Sequence, residues 1–162
     1  ERGQFLVDIM EGRVHAEWVK KLRDQWPGKL IVKGIMHPID AEKYMACGAD
    51  GLVVSNHGGR QFDAAPATAD VVAEIRQAVG PSYPLIVDGG VRTGLDIARF
   101  LALGADFVLI GRAFAWGIAA AGRRGAAHVT GVLGKELQIA MTQMGCDKID
   151  SLSDFLTCDE SP

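Results

Sequence analysis

Four short apolar segments, each followed by a helical pattern, constrain the fold of this chain more than any other feature. They are residues 30–32, 51–54, 85–87 and 107–110. Strands that alternate with helices form a parallel sheet, because each helix returns the chain to the start of the next strand. The segments are apolar throughout rather than alternating, which predicts strands covered on both faces. Either an α/β barrel or an open doubly wound sheet satisfies this pattern.

Helical periodicity and chain breakers predict the elements between these strands. Helices are expected over 14–26, 38–47, 68–79, 94–103, 113–121 and 126–144, with a short terminal turn at 151–155. The periodicity of residues 1–12 is too weak to assign an element. The tripeptide Gly-Ala-Asp precedes a strand twice, at 48–50 and 104–106, which indicates a repeated βα unit.

Composition excludes several classes of function. The chain has 162 residues, of which 48% are apolar and 23% charged, and this is typical of one globular domain with a hydrophobic core. A net charge of −3 gives no electrostatic reason to bind nucleic acid. The apolar stretch 100–122 is interrupted by Asp106 and Arg112, which argues against a membrane span.

The cysteines and histidines lack the spacing of metal ligands, so no metal site is expected. The residues concerned are Cys47, Cys146, Cys158, His15, His37, His57 and His128. An odd number of unpaired cysteines predicts free thiols in a reducing compartment, and we expect a cytoplasmic protein.

Unusual polar residues follow every one of the four apolar segments. They are Lys33, then Ser55, His57 and Arg60, then Asp88 and Arg92, and finally Arg112. The carboxyl ends of parallel strands meet at one edge of the sheet, where α/β barrels build their active sites. We therefore expect these side chains to form a single site.

Two of these residues suggest chemistry on a small organic acid. His57 can take or give a proton near neutral pH, and Arg60 can bind a carboxylate through two parallel hydrogen bonds. Each residue alone is an ordinary loop residue. Their spacing of three, with Gly58 and Gly59 between them, favours a shared function.

The last two strands are followed by glycine- and arginine-containing loops that favour phosphate binding. These are residues 88–92 and 111–112. Glycines expose backbone N–H groups, and barrels often bind phosphate after their last two strands. Neither a Gly-x-Gly-x-x-Gly pattern nor a Walker motif is present. A complete barrel has eight strands in about 250 residues. We therefore expect that the first four are absent, which would explain a start at Glu1.

The run Ser55-Asn56-His57-Gly58-Gly59-Arg60-Gln61 resembles the active-site signature of the FMN-dependent α-hydroxy acid oxidases and dehydrogenases. Segments 32–35, 88–92 and 111–113 match further family segments in the same order, so the resemblance extends from about residue 30 to 152. It implies an α/β fold, the C-terminal half of a (β/α)8 TIM barrel with four parallel βα units. Residues 1–162 would form a single domain that lacks the first half of the barrel.

The resemblance also implies FMN as cofactor and an L-lactate-like 2-hydroxy acid as substrate, oxidised to the 2-oxo acid. His57 would be the catalytic base and would contact the substrate, while Arg60 would hold the substrate carboxylate. Lys33 would lie beside the N1 and C2 carbonyl of the flavin. The cofactor-binding residues implied are Lys33, Ser55, Asp88, Gly89, Gly90, Val91, Arg92, Gly111 and Arg112.

Other family residues have no counterpart here, including an Asp that orients the catalytic His and stabilises its charged form. Two alternatives therefore stay open: an inactive half-barrel that retains only the FMN phosphate site, and another phosphate-binding barrel enzyme, such as one resembling IMP dehydrogenase with a Cys nucleophile. Open sheet edges and an exposed apolar face predict a homo-oligomer. Peripheral contact of the full-length protein with the inner membrane is the alternative to a purely cytoplasmic location.

Overall fold

The computed structural model describes residues 15–157, whose strands form one parallel four-stranded sheet in chain order. The strands are β1 (Ile31–Ile35), β2 (Gly51–Val54), β3 (Leu85–Val87) and β4 (Phe107–Val108). Each pairs with the next strand along the chain. The parallel α/β sheet that the sequence predicts is therefore confirmed.

The helices follow the predicted pattern to within one turn at their ends. They are α1 (Ala16–Gln25), α2 (Pro38–Ala46), α3 (Thr68–Val79), α4 (Gly94–Ala102), α5 (Arg112–Ala121) and α6 (Arg123–Met144), with 3₁₀ turns at His57–Gly59 and Ile149–Phe155. Val14, where the first helix was expected to begin, lies outside the described residues, as do residues 1–12 and Cys158. Within residues 15–157, no helix has the length and hydropathy needed to cross a membrane.

The hydrophobic core lies between the sheet and its helices, on one face of the sheet only. Leu52, Val54, Leu85 and Val87 on the two central strands have no exposed surface. They pack against α2, α3 and α4 through a cluster that includes Ala41, Val72, Ile75 and Phe100. Burial of each large aliphatic side chain contributes about 1.5–3 kcal/mol, so this face supplies most of the stability of the sheet.

The opposite face is open at the outer strands. The strand register aligns Lys33, Val53, Ile86 and Phe107 in one row. Phe107 is 61% exposed, and Ile31 on β1 is 49% exposed. The prediction that both faces are covered is therefore wrong for β1 and β4. The helices cover one face, and each outer strand pairs on one side only among the described residues.

A bulge at Gly34 separates a polar from an apolar residue on β1. The register shifts between Lys33 and Ile35, and Gly34 has φ +102°, a conformation open to glycine. Without the bulge, the two side chains would share a face. With it, Lys33 points to the open face while Ile35 is 3% exposed within the core. Lys33 therefore lies within a strand, not after its end as expected.

Helix α1 exposes most of the apolar face that the sequence predicts to be buried. Val19 is buried, whereas Trp18, Leu22 and Trp26 are each about half exposed or more. Polar contacts attach the helix instead, because Arg23 donates to the Gly28 carbonyl oxygen and pairs with Asp50.

The amino edge of the sheet is held by two Arg–Asp clamps. In the first clamp, Asp50 accepts hydrogen bonds from the Leu30 N–H at 2.8 Å, from Arg23 at 2.7 Å and from Lys29 at 3.0 Å. The Leu30 N–H, with Lys29 and Arg23, lowers the pKa of Asp50 to about 2. A negative carboxylate thereby joins α1 to the start of β1.

The second clamp repeats this arrangement one pair of strands later. Asp106 accepts from the Leu85 N–H at 2.7 Å and from Arg76 at 2.7 Å. Arg76 also donates to the carbonyl oxygens of Gly80 and Gly104. The two Gly-Ala-Asp repeats therefore serve one purpose, which is to fix the start of the preceding strand to the helix before it.

Candidate functional site

A cavity of about 220 Å³ lies at the carboxyl edge of the sheet and collects residues from the ends of all four βα units. Its lining consists of Lys33, His57, Gly58, Arg60, Asp88, Gly89, Gly90, Val91, Arg92, Leu109, Gly111 and Arg112. Every site residue expected from the sequence lines this cavity except Ser55. Ser55 is buried beside it and lines an adjoining cavity of about 550 Å³ together with Lys33 and His57.

The loop after β2 holds His57 in an unusual backbone conformation. His57 has φ +56°, and among residues 15–157 it is the one non-glycine residue with positive φ. A left-handed non-glycine residue costs on the order of 1 kcal/mol and persists where its surroundings hold it. Ser55 Oγ accepts from the His57 N–H at 3.1 Å, and Asn56 Oδ1 accepts from the Gly58 N–H at 2.9 Å. Two consecutive side chains, Ser55 and Asn56, therefore hold the backbone from which the imidazole projects.

Gly58 allows this loop to approach the start of α5. It has φ +68°, and a Cβ at this position would lie 3.3 Å from Nη2 of Arg112. The missing side chain leaves room for the guanidinium beside the His57 loop. Gly90, in the loop after β3, has φ +76° and open space where a Cβ would stand.

Lys33, at the middle of β1, connects this strand to the ends of β2 and β3. Its ammonium donates to Ser55 Oγ at 2.6 Å and forms an ion pair with Asp88 Oδ2. The other carboxylate oxygen, Asp88 Oδ1, is buried and has no hydrogen-bond partner among the described residues. A buried acceptor without a partner costs roughly 1–3 kcal/mol. Asp88 is therefore ready to accept a hydrogen bond from a ligand.

The other polar side chains of the cavity remain available. His57, Arg60, Arg92 and Arg112 are exposed. In the part of the chain that the structure describes, no side-chain hydrogen bond or ion pair is found for them. With Lys33 balanced by Asp88, the three arginines make the carboxyl edge positive although the whole chain carries a net charge of −3. The edge therefore favours anionic ligands.

The two helix N-termini near the cavity differ in their capping. The first turn of α4 is saturated: Thr93 and Asp96 form a capping box, and Glu136 from α6 accepts from the Gly94 N–H at 2.8 Å. Burial raises the pKa of Asp96, but the N–H groups of Arg92 and Thr93 outweigh it, so the net pKa is lowered. A carboxylate therefore already occupies this N-terminus.

The first turn of α5 has no side-chain cap, and its N-cap residue is Gly111. A helix N-terminus with free N–H groups favours an anion. The N-terminus at Gly111 and Arg112 is therefore the one open to an anion, and the loop after β3 brings Gly89, Gly90 and Arg92 to the same cavity.

Val91 differs from its neighbours. It lines the cavity, yet it is 7% exposed and belongs to the hydrophobic core. Sequence analysis did not single out Leu109, because the apolar end of a strand carries no functional signal. It also missed Glu136, whose contact with Gly94 joins residues 42 positions apart.

The described cysteines lie away from this site. Neither Cys47 nor Cys146 lines either of the two cavities around His57. Residues 15–157 also contain no cluster of three or more His, Cys, Asp or Glu side chains able to hold a metal ion.

The fold and the site together define part of a (β/α)8 barrel whose carboxyl edge places arginines beside a histidine. The family model of the FMN-dependent dehydrogenases matches residues 1–158. The chain therefore belongs to this family, and the resemblance seen in the sequence is confirmed.

Relatives within the family are lactate and mandelate enzymes. The chain is 47% identical over 137 residues to an L-lactate dehydrogenase of Serratia proteamaculans, covering 85% of this chain and 35% of that protein. An L-lactate dehydrogenase of Bartonella tribocorum is 45% identical over the same length. The chain thus spans about a third of the length of these relatives.

Solved structures share the fold. A structure of (S)-mandelate dehydrogenase, described as a monotopic membrane protein, superposes with a TM-score of 0.85 at 43% identity. It covers 89% of this chain and 38% of its own length. A putative lactate oxidase of Pediococcus acidilactici gives a TM-score of 0.83 at 39% identity, covering 92% of this chain and 44% of its own.

Proposed function

We propose that this chain supplies the FMN-binding and catalytic carboxyl edge for the oxidation of an L-2-hydroxy acid to the 2-oxo acid. The observation that carries the proposal is the cavity in which His57 and Arg60 face a glycine-rich loop with two further arginines. The names of the relatives, L-lactate and (S)-mandelate dehydrogenase, support a 2-hydroxy acid as substrate.

The residues of the cavity fit FMN. Gly111 and Arg112 at the open N-terminus of α5, together with Arg92, would hold the phosphate. The unpaired Asp88 Oδ1 would accept a hydrogen bond from a hydroxyl of the ribityl chain. Gly89 and Gly90 would allow the backbone to approach the cofactor closely.

Lys33 and Ser55 lie nearer to the strands and would contact the flavin ring or the chain next to it. A positive charge at this position stabilises negative charge that develops on a cofactor ring. Ser55 accepts two hydrogen bonds within the protein, so its own proton remains to be donated to a ligand.

The chemistry needs two electrons and two protons to leave the substrate. Bound FMN would supply the acceptor for the electrons. Arg60 would hold the carboxylate in a bidentate hydrogen-bonded pair, which fixes the C2 carbon relative to His57. His57 would take one of the two protons as general base, and bound FMN would receive the other together with the two electrons.

The chain covers 35% of its first relative, and we propose that residues 1–162 form one domain equivalent to the C-terminal half-barrel of that protein. Exposed Ile31 and Phe107 at the outer strands support the expectation of a homo-oligomer. For location, we propose the cytoplasm, with peripheral contact at the inner membrane as the alternative suggested by the monotopic mandelate enzyme.

The test is anaerobic reduction of FMN on the purified chain. We expect the flavin absorption to bleach with L-lactate or (S)-mandelate and to remain unchanged with the opposite enantiomers. Replacing His57→Gln should slow bleaching by at least about 100-fold, since general-base catalysis contributes roughly 10²–10⁴-fold. Arg60→Lys should instead raise the substrate concentration needed.

A second candidate is a chain that binds FMN without oxidising substrate. It is favoured by one observation: within residues 15–157 no carboxylate accepts a hydrogen bond from His57, so a histidinium there lacks the partner that stabilises it in catalytic triads. Bound flavin that never bleaches would support this candidate and would contradict the proposed oxidation by this chain.

A further inference from the structure

The buried hydroxyl oxygen of Ser55 accepts two hydrogen bonds. Ser55 is 3% exposed, and its Oγ accepts from Lys33 Nζ at 2.6 Å and from the His57 N–H at 3.1 Å. Neither an ammonium nor an amide can accept, so the direction of both bonds is certain. One serine oxygen therefore contacts both the cation on β1 and the loop that carries the imidazole.

Asn56, the next residue along the loop, makes no such pair of contacts. Asn56 Oδ1 holds the Gly58 N–H at 2.9 Å, and its amide nitrogen donates to the Pro66 carbonyl oxygen, away from Lys33. Gly58 tolerates its positive φ without side-chain strain, whereas His57 at φ +56° does not. The hydrogen bond between the His57 N–H and Ser55 Oγ therefore stabilises the strained residue of this loop.

Lys33 is itself fixed by the Asp88 carboxylate at the end of β3. A displacement of Lys33 changes the position of Ser55 Oγ, and Ser55 Oγ sets the backbone from which the imidazole projects. The order Asp88, Lys33, Ser55, His57 thus forms a continuous chain of contacts across three neighbouring strands.

We propose that Ser55 is a positioning residue, whose hydroxyl oxygen transmits the placement of Lys33 to the direction of the His57 imidazole. The inference deepens the proposed function, and it rests on that function only for the role of His57 as a base. The coupling itself is a property of the chain without any ligand.

Nuclear magnetic resonance of the chain labelled with ¹³C at histidine Cε1 tests the coupling. The four histidines, at 15, 37, 57 and 128, give separate reporters. In Ser55→Ala we expect the His57 signal to move or broaden more than the other three, and in Ser55→Thr, which keeps the hydroxyl, to return toward wild type. Tyr83→Phe is the control, because it removes a hydrogen-bonded hydroxyl at the amino edge.

A double-variant cycle isolates the role of the hydroxyl. Lys33→Met should shift the His57 signal in the wild-type background and cause little further shift in Ser55→Ala. Equal shifts in both backgrounds, or no shift from Lys33→Met alone, would overturn the proposal. If Ser55→Ala does not fold, Ser55→Cys, whose sulfur is only a weak hydrogen-bond acceptor, takes its place in the cycle. FMN is absent throughout, so failure of flavin reduction and failure of this coupling are separate results.

Discussion

The two edges of the sheet use charge in opposite ways. At the amino edge, Asp50 and Asp106 are satisfied by backbone N–H groups and by Arg23 and Arg76 within the chain. At the carboxyl edge, the side chains of the arginines that line the cavity have no hydrogen-bond or ion-pair partner among the described residues. In barrels the amino edge contributes stability and the carboxyl edge carries function. The difference shows which charges hold the fold and which are left for ligands.

Lys33 and Asp88 are the exception at the carboxyl edge. They form an ion pair, yet Asp88 keeps one buried oxygen without a partner among residues 15–157. Asp88 can therefore still accept a hydrogen bond from a ligand, although it is already paired with Lys33. Arg76 at the opposite edge differs, because it donates to four acceptors within the protein.

The largest effect expected is on FMN affinity when the free cations are removed. Replacing both Arg92→Ala and Arg112→Ala should raise the FMN dissociation constant by at least about 100-fold, since hydrogen bonds to charged groups contribute roughly 1.5–3 kcal/mol each. Fluorescence titration measures the affinity. The urea midpoint should stay at the wild-type value, and a large fall in that midpoint would contradict the division between the edges.

Removing the second clamp should act on stability alone. We expect Arg76→Met to lower the free energy of unfolding by about 2 kcal/mol, because the carbonyl oxygens of Gly80, Tyr83 and Gly104 lose their donor, while Asp106 keeps the Leu85 N–H. FMN affinity of the folded protein should not change.

Arg23→Met at the first clamp is the matched comparison. The loss should be smaller, because Lys29 and the Leu30 N–H remain on Asp50 and Arg23 is the more exposed of the two arginines, at 24% against 15% for Arg76. Urea denaturation of both variants tests the order. Equal losses for Arg23→Met and Arg76→Met would show that the two clamps are equivalent.

Acid should weaken the first clamp in a defined range. The pKa of Asp50 is about 2 in the folded chain against an ordinary value of 3.8. A lowered folded pKa stabilises the fold above the unfolded value and loses that contribution as the pH falls toward 2. Asp50→Asn should therefore show a smaller loss of stability than wild type between pH 5 and about pH 2. If the free energy of unfolding of wild type and of Asp50→Asn fell equally with pH, Asp50 would not contribute to stability in this way.

The smallest effect on stability is expected at the open face. Phe107→Gln should change the free energy of unfolding by no more than about 0.5 kcal/mol, because the side chain is 61% exposed. It should reduce self-association measured by sedimentation. Val87→Ala on the helix-covered face is the contrast, and there we expect a loss of about 1–3 kcal/mol.

The sequence predicted the central elements well and the outer ones less well. The bounds of β2, β3 and α3 agree with the structure because glycine, proline or polar residues end each apolar run. Strand β4 stops at Val108, although the apolar run continues to Ile110, since hydrophobicity alone does not fix where pairing ends. The bulge at Gly34 could not be predicted, because it depends on the register with β2.

The sequence predicted which residues line the cavity, but not the hydrogen bonds and ion pair between them. Parallel strands bring their carboxyl ends together, so the gathering of Lys33, His57 and Arg92 follows from the strand pattern. The bonds from Lys33 to Ser55 and Asp88 span 22 and 55 residues and need the packed sheet to be recognised. The two Arg–Asp clamps could not be predicted either, because they also join residues far apart in the sequence, although the Gly-Ala-Asp repeats contain their aspartates.

The most direct test of the carboxyl edge as an FMN site is a paired titration of the chain with FMN and with riboflavin, which lacks the phosphate. Our account predicts that FMN binds and that riboflavin binds at least about 100-fold more weakly, because Arg92, Arg112 and the open N-terminus of α5 would recognise the phosphate. Equal affinity for the two compounds, or binding of neither, would contradict it.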